Sequence, residues 1–269
     1  LVGAWERARA EGAPGFARVH GPPGIGKTHL LRALARELEA RGCLVVEARC
    51  DRNRGEALGL AADLARALLA AAATRGVREK ELASATARLS LLLDGEAAGP
   101  RAGRRPEEGR LDIADGLAEL LRLVLPAAPA LLLDDVDAAD RGSIELLEYA
   151  AALLLQPGAR HGCLVLLSHR GGRASEAFSA LIERLPGTSV PLAPLDAEGV
   201  RRFLARPDVV ERLIEATSGE PSRLEAMIAG APADLGARRI ARLEPDARAL
   251  LLAAAVLGHA APAPLLGKV

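Results

Sequence analysis

The sequence predicts an α/β protein built on a parallel, doubly wound sheet. Short β-branched or leucine-rich runs alternate with longer helical patterns along residues 1–195, which is the order expected when parallel strands are joined by helices. The run Ala130–Leu133 is apolar without interruption, as in a strand covered on both faces. Half of the residues are hydrophobic but only 2% are aromatic, so Leu, Ala and Val must fill the core and helices should dominate.

The spacing of apolar residues predicts the individual elements. The predicted strands are Phe16–His20, Cys43–Ala48, Ala130–Leu133, Cys163–Leu167 and Ser189–Leu192. The predicted helices of the sheet region include Leu1–Ala10, Lys27–Arg41, Glu56–Ala73, Arg78–Leu92, Arg110–Leu125 and Ser143–Leu155. The segment 94–109 is rich in Gly, Pro, Arg and Glu and is predicted to be a flexible insertion. From Asp196, a predicted N-cap, the chain reads as purely helical.

Composition restricts the classes of partner. Lys plus Arg number 35, and Asp plus Glu also number 35, so the chain has no net charge with which to attract a polyanion. The scarcity of aromatic residues disfavours stacking on the bases of single-stranded nucleic acid. We therefore do not expect direct DNA contact by this segment. The three cysteines lack paired ligand spacing, which favours reduced thiols in a cytoplasmic protein over disulfides or zinc.

The lengths of the apolar runs and the ends of the chain bear on membrane contact and on whether a longer polypeptide is expected. No run approaches the roughly 20 apolar residues of a membrane helix, and no signal peptide opens the chain, so no membrane contact is expected. The chain begins with Leu1 and stops inside a helical pattern. We therefore expect a piece of a longer polypeptide.

A phosphate-binding pattern lies between the first predicted strand and the next helix. The segment Gly21–Thr28, GPPGIGKT, fits G-x-x-x-x-G-K-[ST]. Glycines let backbone N–H groups curl around phosphates, and the helix beginning near Lys27 directs its positive end at them. Lys27 is placed to reach the β- and γ-phosphates, and the Thr28 hydroxyl to bind Mg²⁺.

This pattern predicts a P-loop NTPase that binds ATP or ADP with Mg²⁺. The alternative is a Gly/Pro turn before a surface helix. The predicted nucleotide-binding residues of the loop are Gly21, Pro22, Pro23, Gly24, Ile25, Gly26, Lys27, Thr28 and His29.

An acid at the end of a neighbouring strand completes such a site, and Asp134 and Asp135 follow the apolar run. We predict that Asp134 and Thr28 are the metal ligands and that Asp135 orients or activates the attacking water. Asp is shorter than Glu, so hydrolysis is expected to be slow. The alternative is an acidic pair that ends a strand in a turn. Asp137 and Asp140 are interpreted as helix-start acids.

Ser168, His169 and Arg170 follow the fourth predicted strand, which parallel topology would end beside the phosphate site. Arg170 is a candidate catalytic phosphate sensor or, alternatively, a solvated loop arginine. Ser168 or His169 is a lesser candidate for positioning water.

The predicted helical region adds further candidates. Pro221 is a candidate adenine contact or part of an ordinary helix-breaking turn. Arg223 is a candidate phosphate contact, and Arg184 a candidate that acts on a neighbouring subunit. The histidines His20, His161 and His259 are interpreted as structural.

Taken in order, these motifs resemble the AAA-related signal-transduction ATPases with numerous domains (STAND). The chain is similar to the Orc1-like AAA ATPase module of bacterial maltose-activator-like and LuxR-type regulators. The matching stretches are GPPGIGKT at Gly21, LLLDDVDAAD at Leu131, LVLLSHR at Leu164, VPLAPLDAEGV at Val190, TSGEPSRLEAM at Thr217 and LEPDARALLLAAAVLG at Leu243. The usual Gly-Arg-Glu-like entry before the first helix is absent.

The resemblance implies a P-loop ATPase core at 1–195, a helical lid at 196–236 and the start of a winged-helix segment at 237–269. It implies a slow ATPase whose ATP or ADP state switches the module in signal transduction or transcription regulation, with self-association in the ATP state and flanking sensor and effector domains. Lys27 and Thr28 would bind phosphate and Mg²⁺, with Arg170 sensing phosphate and Pro221 contacting adenine.

Three other functions are weighed against a regulatory switch. An AAA+ ATPase that loads or remodels on DNA shares the same core, and the neutral charge weighs against it. A kinase needs an acceptor pocket and base that the sequence does not reveal. A binding module with an inactive nucleotide site is disfavoured by Lys27, Thr28 and Asp134.

Overall fold

The computed structural model describes residues 1–51, 57–94, 106–156, 161–172, 175–196, 199 and 217–228. The chain divides into two compact units, Leu1–Leu192 and Ala193–Val269. Most of the predicted lid at 196–236, and all of the predicted winged-helix segment at 237–269, lie outside the described residues and stay predictions.

A parallel sheet of five strands occupies the first unit. The strands are β1 (Gly15–His20), β2 (Val45–Arg49), β3 (Ala130–Asp134), β4 (Leu164–His169) and β5 (Thr188–Pro191). Their order across the sheet is β2-β3-β4-β1-β5, and every pairing is parallel. The predicted parallel α/β sheet is confirmed. Because β4 lies between β1 and β3, the carboxyl ends of these three strands lie side by side.

Helices precede and connect the strands. They are α1 (Val2–Glu11), α2 (Lys27–Ala40), α3 (Gly59–Thr74), α4 (Glu79–Leu93), α5 (Pro106–Val124), α6 (Arg141–Leu154) and α7 (Glu176–Arg184). In the described part of the second unit, α8 spans Pro221–Ile228. Helix α5 begins at Pro106, inside the predicted insertion at 94–109, since proline is well suited to the first turn of a helix. Residues 95–105 of that insertion lie outside the described residues.

The two faces of the sheet carry separate apolar cores. Along β3, Ala130 and Leu132 pack with residues of α1 and α2, whereas Leu131 and Leu133 pack with residues of α3, α5 and α6. Successive side chains of a strand point to opposite faces, so an unbroken apolar run is buried on both. The result is a three-layer arrangement that leaves the carboxyl ends of the strands as the open edge for a binding site.

Two smaller predictions concern helix starts. The Asp140 side chain accepts a hydrogen bond from the backbone N of Ser143 at 3.0 Å, so its prediction as a helix-start acid is confirmed. In the second unit, Asp196 Oδ1 accepts from the backbone N of Gly199 at 2.7 Å, the bond that an N-cap makes.

Within the described ranges, none of the helices combines the length and the apolar composition that a membrane span requires.

Candidate nucleotide-binding site

The loop between β1 and α2 has a backbone that requires glycine. Gly24 and Gly26 have φ angles of 83° and 100°, a region that side chains with a Cβ rarely adopt. At Gly21 a Cβ would lie 2.9 Å from the carbonyl oxygen of Leu192, just after β5. Helix α2 begins at Lys27 with no side-chain cap, and uncapped amides at a helix start form an anion-binding site.

Lys27 is oriented by the loop that it follows. Its side chain is buried, and Nζ donates to the carbonyl oxygens of Gly21 at 2.8 Å and Pro22 at 3.1 Å. Burial lowers the pKa of Lys27, the Asp135 carboxylate opposes that shift, and the Arg170 guanidinium adds to it. The ammonium is therefore held at the loop in a desolvated position where an anionic phosphate would be favoured.

Asp134 joins the phosphate loop to the acidic end of β3. Thr28 Oγ1 donates to Asp134 Oδ2 at 2.6 Å across 106 residues of sequence. Asp134 is buried, and its Oδ1 accepts a hydrogen bond from Ser168 Oγ at the end of β4. A hydroxyl and a carboxylate oxygen at one point are ligands that Mg²⁺ prefers, with nucleotide phosphates and water completing the shell. Thr28 and Asp134 therefore fit a magnesium site.

Asp135 is held in an unusual backbone conformation. Its φ and ψ are 56° and 37°, and it is the N-cap of a 3₁₀ turn at Val136–Ala138. This left-handed region is tolerated by Asp better than by most residues. The backbone N of Asp135 donates to Ser168 Oγ at 2.9 Å. Ser168 therefore contacts both acids and stabilises the turn in which Asp135 lies.

Arg49, at the end of β2, is a residue that the sequence analysis missed. Its Nη2 lies 3.3 Å from Asp135 Oδ2 and its Nε 3.6 Å from Asp134 Oδ2. Residue 49 pairs with residue 134 in the register of β2 and β3. The predicted second strand ended at Ala48, one residue short, and only the strand order places Arg49 beside the acids.

His169 packs into a small aromatic group at the end of β4. Its ring stacks on His20 with centroids 5.3 Å apart and meets the edge of Phe178 at 5.2 Å. Its Nδ1 accepts from the backbone N of Gly171 at 3.3 Å. Burial, and next the neighbouring His20, lowers the pKa of His169. These contacts agree with a structural role for His20.

Arg170 follows β4 directly and lies close enough to Lys27 to lower the pKa of that lysine. In the part of the chain that the structure describes, no ion pair of Arg170 is found. The structure thus brings Lys27, Thr28, Asp134, Asp135 and Arg170 to one edge of the sheet.

The sequence of residues 1–167 matches the family model described as AAA ATPase domain. The chain belongs to this AAA ATPase domain family. No curated protein matches the chain significantly.

Solved structures with a similar fold include three proteins with named sources. Cdc6p of Pyrobaculum aerophilum has a TM-score of 0.48 at 15% identity, over 86% of this chain and 60% of that one. ORC1 of Aeropyrum pernix, solved in complex with DNA, has a TM-score of 0.46 at 16% identity, over 97% and 71%. AMPPCP-bound DnaA of Aquifex aeolicus has a TM-score of 0.44 at 20% identity, over 83% and 57%. The chain spans 58% and 60% of the first two structures it matches.

The remaining predicted site residues are His29 and Arg184 in the first unit and Pro221 and Arg223 in the second. His29 is exposed on the first turn of α2. Arg184 at the end of α7 lies 3.6 Å from Glu148, and its side chain is largely exposed. Pro221 begins α8, and Arg223 pairs with Glu220 at 2.9 Å. The predicted contacts of Pro221 with adenine and of Arg223 with phosphate stay predictions.

Proposed function

We propose that this AAA ATPase domain is a regulatory module that binds ATP with Mg²⁺ and hydrolyses it slowly. The observation that supports this most is the 2.6 Å hydrogen bond between Thr28 and Asp134. It brings the hydroxyl of the phosphate loop onto the acidic strand end, beside the buried ammonium of Lys27. This combination supports binding of a nucleoside triphosphate together with a divalent cation.

Each residue of the site has a proposed task. Lys27 would exchange its bonds to the loop carbonyls for the β- and γ-phosphates, while the loop amides hold the phosphate chain. Thr28 and Asp134 would hold the metal, and magnesium when bound would neutralise phosphate charge. Asp135 would orient the attacking water, and Arg170 would contact the γ-phosphate.

Two features of Asp135 support slow turnover. Its side chain is one methylene shorter than Glu, and one of its oxygens is 3.3 Å from Arg49. A carboxylate engaged in an ion pair must give up or share that contact before it can receive a proton from water. We therefore propose turnover below about 1 per second, the low end for ordinary enzymes.

The switch itself involves parts beyond the first unit. Resemblance to STAND ATPases supports a module whose ATP or ADP state is transmitted to flanking sensor and effector domains. In this proposal Pro221 contacts adenine and ATP favours self-association.

The first experiment measures nucleotide binding. Fluorescently labelled ATP and ADP would be titrated into the chain with Mg²⁺ and with excess EDTA, and phosphate release would be followed in the same samples. Lys27→Ala removes the buried ammonium, and Lys80→Ala, at an exposed position of α4, is the matched control. We expect binding by the wild type and Lys80→Ala, its loss in Lys27→Ala, and slow phosphate release.

Two outcomes would contradict the proposal. Absence of ATP binding by the wild type would overturn it entirely. Equal binding by Lys27→Ala and Lys80→Ala would show that nucleotide binds elsewhere, and rapid turnover would favour a metabolic catalyst over a switch.

A further inference from the structure

A cavity of about 330 Å³ opens between α5 and α6, beside the start of α3. Sites for small molecules span roughly 300–1,000 Å³ and combine apolar walls with a few polar groups. The described residues that line this cavity do not include any member of the cluster at the nucleotide-binding site. The cavity is therefore a second, separate candidate site.

The floor of the cavity is apolar, and two apolar side chains at its edge are exposed. Leu58, Ala114 and Leu146 line the floor and are buried. Leu111 on α5 and Tyr149 on α6 line the edge, and they are 63% and 42% exposed. An apolar molecule that covers these two side chains would be favoured, because it removes their surface from water.

Leu58 forms part of the floor through a strained backbone. Its φ and ψ are 61° and 22° at the N-cap of α3, a left-handed conformation that is an outlier for a bulky side chain. On α6, a Cβ at position 142 would lie 2.6 Å from Leu58 Cδ2, so Gly142 leaves room for Leu58 to pack against this helix. Strain of this kind persists where the surrounding structure fixes it, often at ligand sites.

The polar edge of the cavity carries an excess of positive charge. Glu145 lines the cavity together with Arg110. Glu145 Oε2 lies 3.2 Å from Arg110 Nη1, and Glu145 Oε1 lies 2.8 Å from Arg141 Nε. Each guanidinium has five N–H donors, and one carboxylate between two of them leaves one positive charge unbalanced.

Other acids of α5 lie outside the cavity lining. Asp112 and Asp115 each lie 3.5 Å from Arg88 Nη1 of α4. Asp115 also accepts a hydrogen bond from the Tyr149 hydroxyl at 3.2 Å, which holds the aromatic ring at the edge of the cavity. Among the residues that the structure describes, Glu145 is thus the acid that lines the cavity, and two arginines share it.

We propose that this cavity binds a small molecule with an apolar chain and a single carboxylate. The chain packs on Leu58 and Leu146 and covers Leu111. The carboxylate accepts hydrogen bonds from Arg110 and Arg141, because a planar carboxylate matches the fork of a guanidinium. An ammonium group in the same place is repelled by both arginines. This site does not depend on the proposed nucleotide binding.

Three probes with the same chain separate charge from apolar contact. Octanoate, 1-octanol and octylamine are anionic, neutral and cationic near neutral pH. Their dissociation constants for the whole chain would be measured by calorimetry without nucleotide. We expect octanoate to bind most tightly and octylamine to bind about fivefold more weakly or worse. Hexanoate should bind about tenfold more weakly than octanoate, because it buries two fewer methylenes.

A matched pair of arginine variants tests the polar contact. Arg110→Gln removes a guanidinium at the cavity, and Arg122→Gln removes an exposed guanidinium farther along α5. Arg110→Gln should weaken octanoate binding about two- to fivefold, the size that exposed ion pairs support, and should leave 1-octanol binding unchanged. Arg122→Gln should change neither.

A matched pair of leucine variants tests the apolar contact. Leu111→Ser removes an exposed leucine at the cavity, and Leu155→Ser removes an exposed leucine that follows α6. Leu111→Ser should weaken octanoate and 1-octanol by the same factor, about three- to tenfold. Leu155→Ser should leave both affinities unchanged.

Several results would overturn this inference. They are absence of octanoate binding by the wild type at millimolar concentration, equal affinity for octanoate and octylamine, and equal weakening by Arg110→Gln and Arg122→Gln. Wild-type affinity in Leu111→Ser would place the chain elsewhere and would also overturn it. Because no nucleotide is added, failure here leaves the proposed ATP binding intact, and failure of ATP binding leaves this site intact.

Discussion

The sequence motif predicts a role for Lys27, but it does not predict the hydrogen bonds that Lys27 makes. Its place in GPPGIGKT predicts a phosphate contact, whereas its bonds to the carbonyls of Gly21 and Pro22 depend on the folded loop. A buried ammonium needs acceptors, and the carbonyl oxygens of the loop supply them. Side-chain chemistry at this scale supports two further predictions.

The first concerns the role of Asp135 in hydrolysis. Asparagine keeps the size of the side chain and tolerates the left-handed backbone at this position, so Asp135→Asn should fold and bind ATP as the wild type does. Loss of the carboxylate should lower phosphate release about 100-fold or more. Asp137→Asn, in the adjacent 3₁₀ turn, is the control and should retain activity. Wild-type release by Asp135→Asn would contradict the assignment.

The second prediction concerns the pH dependence of stability at His169. Burial and His20 lower its pKa in the folded state below the usual value of 6.5. As pH falls below that value, the unfolded chain takes up a proton at His169 before the folded chain does, so the free energy of unfolding decreases. The decrease continues until pH passes the folded pKa.

Urea unfolding at pH 7.5 and 5.5 checks this sign. Between these conditions His169→Gln should lose less stability than the wild type, because it lacks the titrating ring. His29→Gln, at an exposed position of α2, should keep the wild-type dependence. An unchanged pH dependence in His169→Gln would show that other groups account for the loss.

Strand ends, rather than whole strands, build the candidate site. The carboxyl ends of β1, β3 and β4 carry the phosphate loop, the acidic pair and Ser168, and β2 adds Arg49. Ser168 is fully buried and joins β4 to the turn after β3 through its bonds to Asp134 and to the backbone N of Asp135. The geometry of the acids therefore depends on the pairing of two strands.

Ser168→Ala tests this dependence. It leaves a buried carboxylate oxygen and a buried N–H without the bond that Ser168 makes, which should lower the free energy of unfolding by about 1–3 kcal/mol. Ser175→Ala is the matched control, because it removes the N-cap of α7 at a cost of about 1 kcal/mol.

ATP binding distinguishes Ser168→Ala from Ser175→Ala. Only Ser168→Ala should weaken ATP binding in the presence of Mg²⁺, as measured by calorimetry, since only this serine orients Asp134. Wild-type affinity in Ser168→Ala would show that the phosphate loop alone positions the acid.

Charge over the whole chain bears on the choice between the proposed regulatory ATPase and an ATPase that acts on DNA. The 35 basic and 35 acidic residues cancel, so the net charge supplies no long-range attraction to a polyanion. We expect duplex DNA to leave the rate of phosphate release unchanged at physiological salt. Stimulation of phosphate release by DNA would instead favour the AAA+ ATPase that loads or remodels on DNA.

The elements that could be predicted from sequence are those with local signals. The phosphate loop is eight contiguous residues between a strand and a helix, and the acidic pair directly follows an unbroken apolar run. The five strands and the parallel sheet followed from alternating helical and strand patterns, because burial on one or both faces determines the spacing of apolar residues.

Strand order and register required the tertiary structure. Arg49 and Asp135 are 86 residues apart, and Ser168 and Asp135 are 33 apart, so no local pattern links them. They meet because β3 lies between β2 and β4, an order that only the folded sheet reveals. Local sequence patterns therefore determined the candidate residues for phosphate and metal, whereas long-range packing decided which side chains hold those candidates in place.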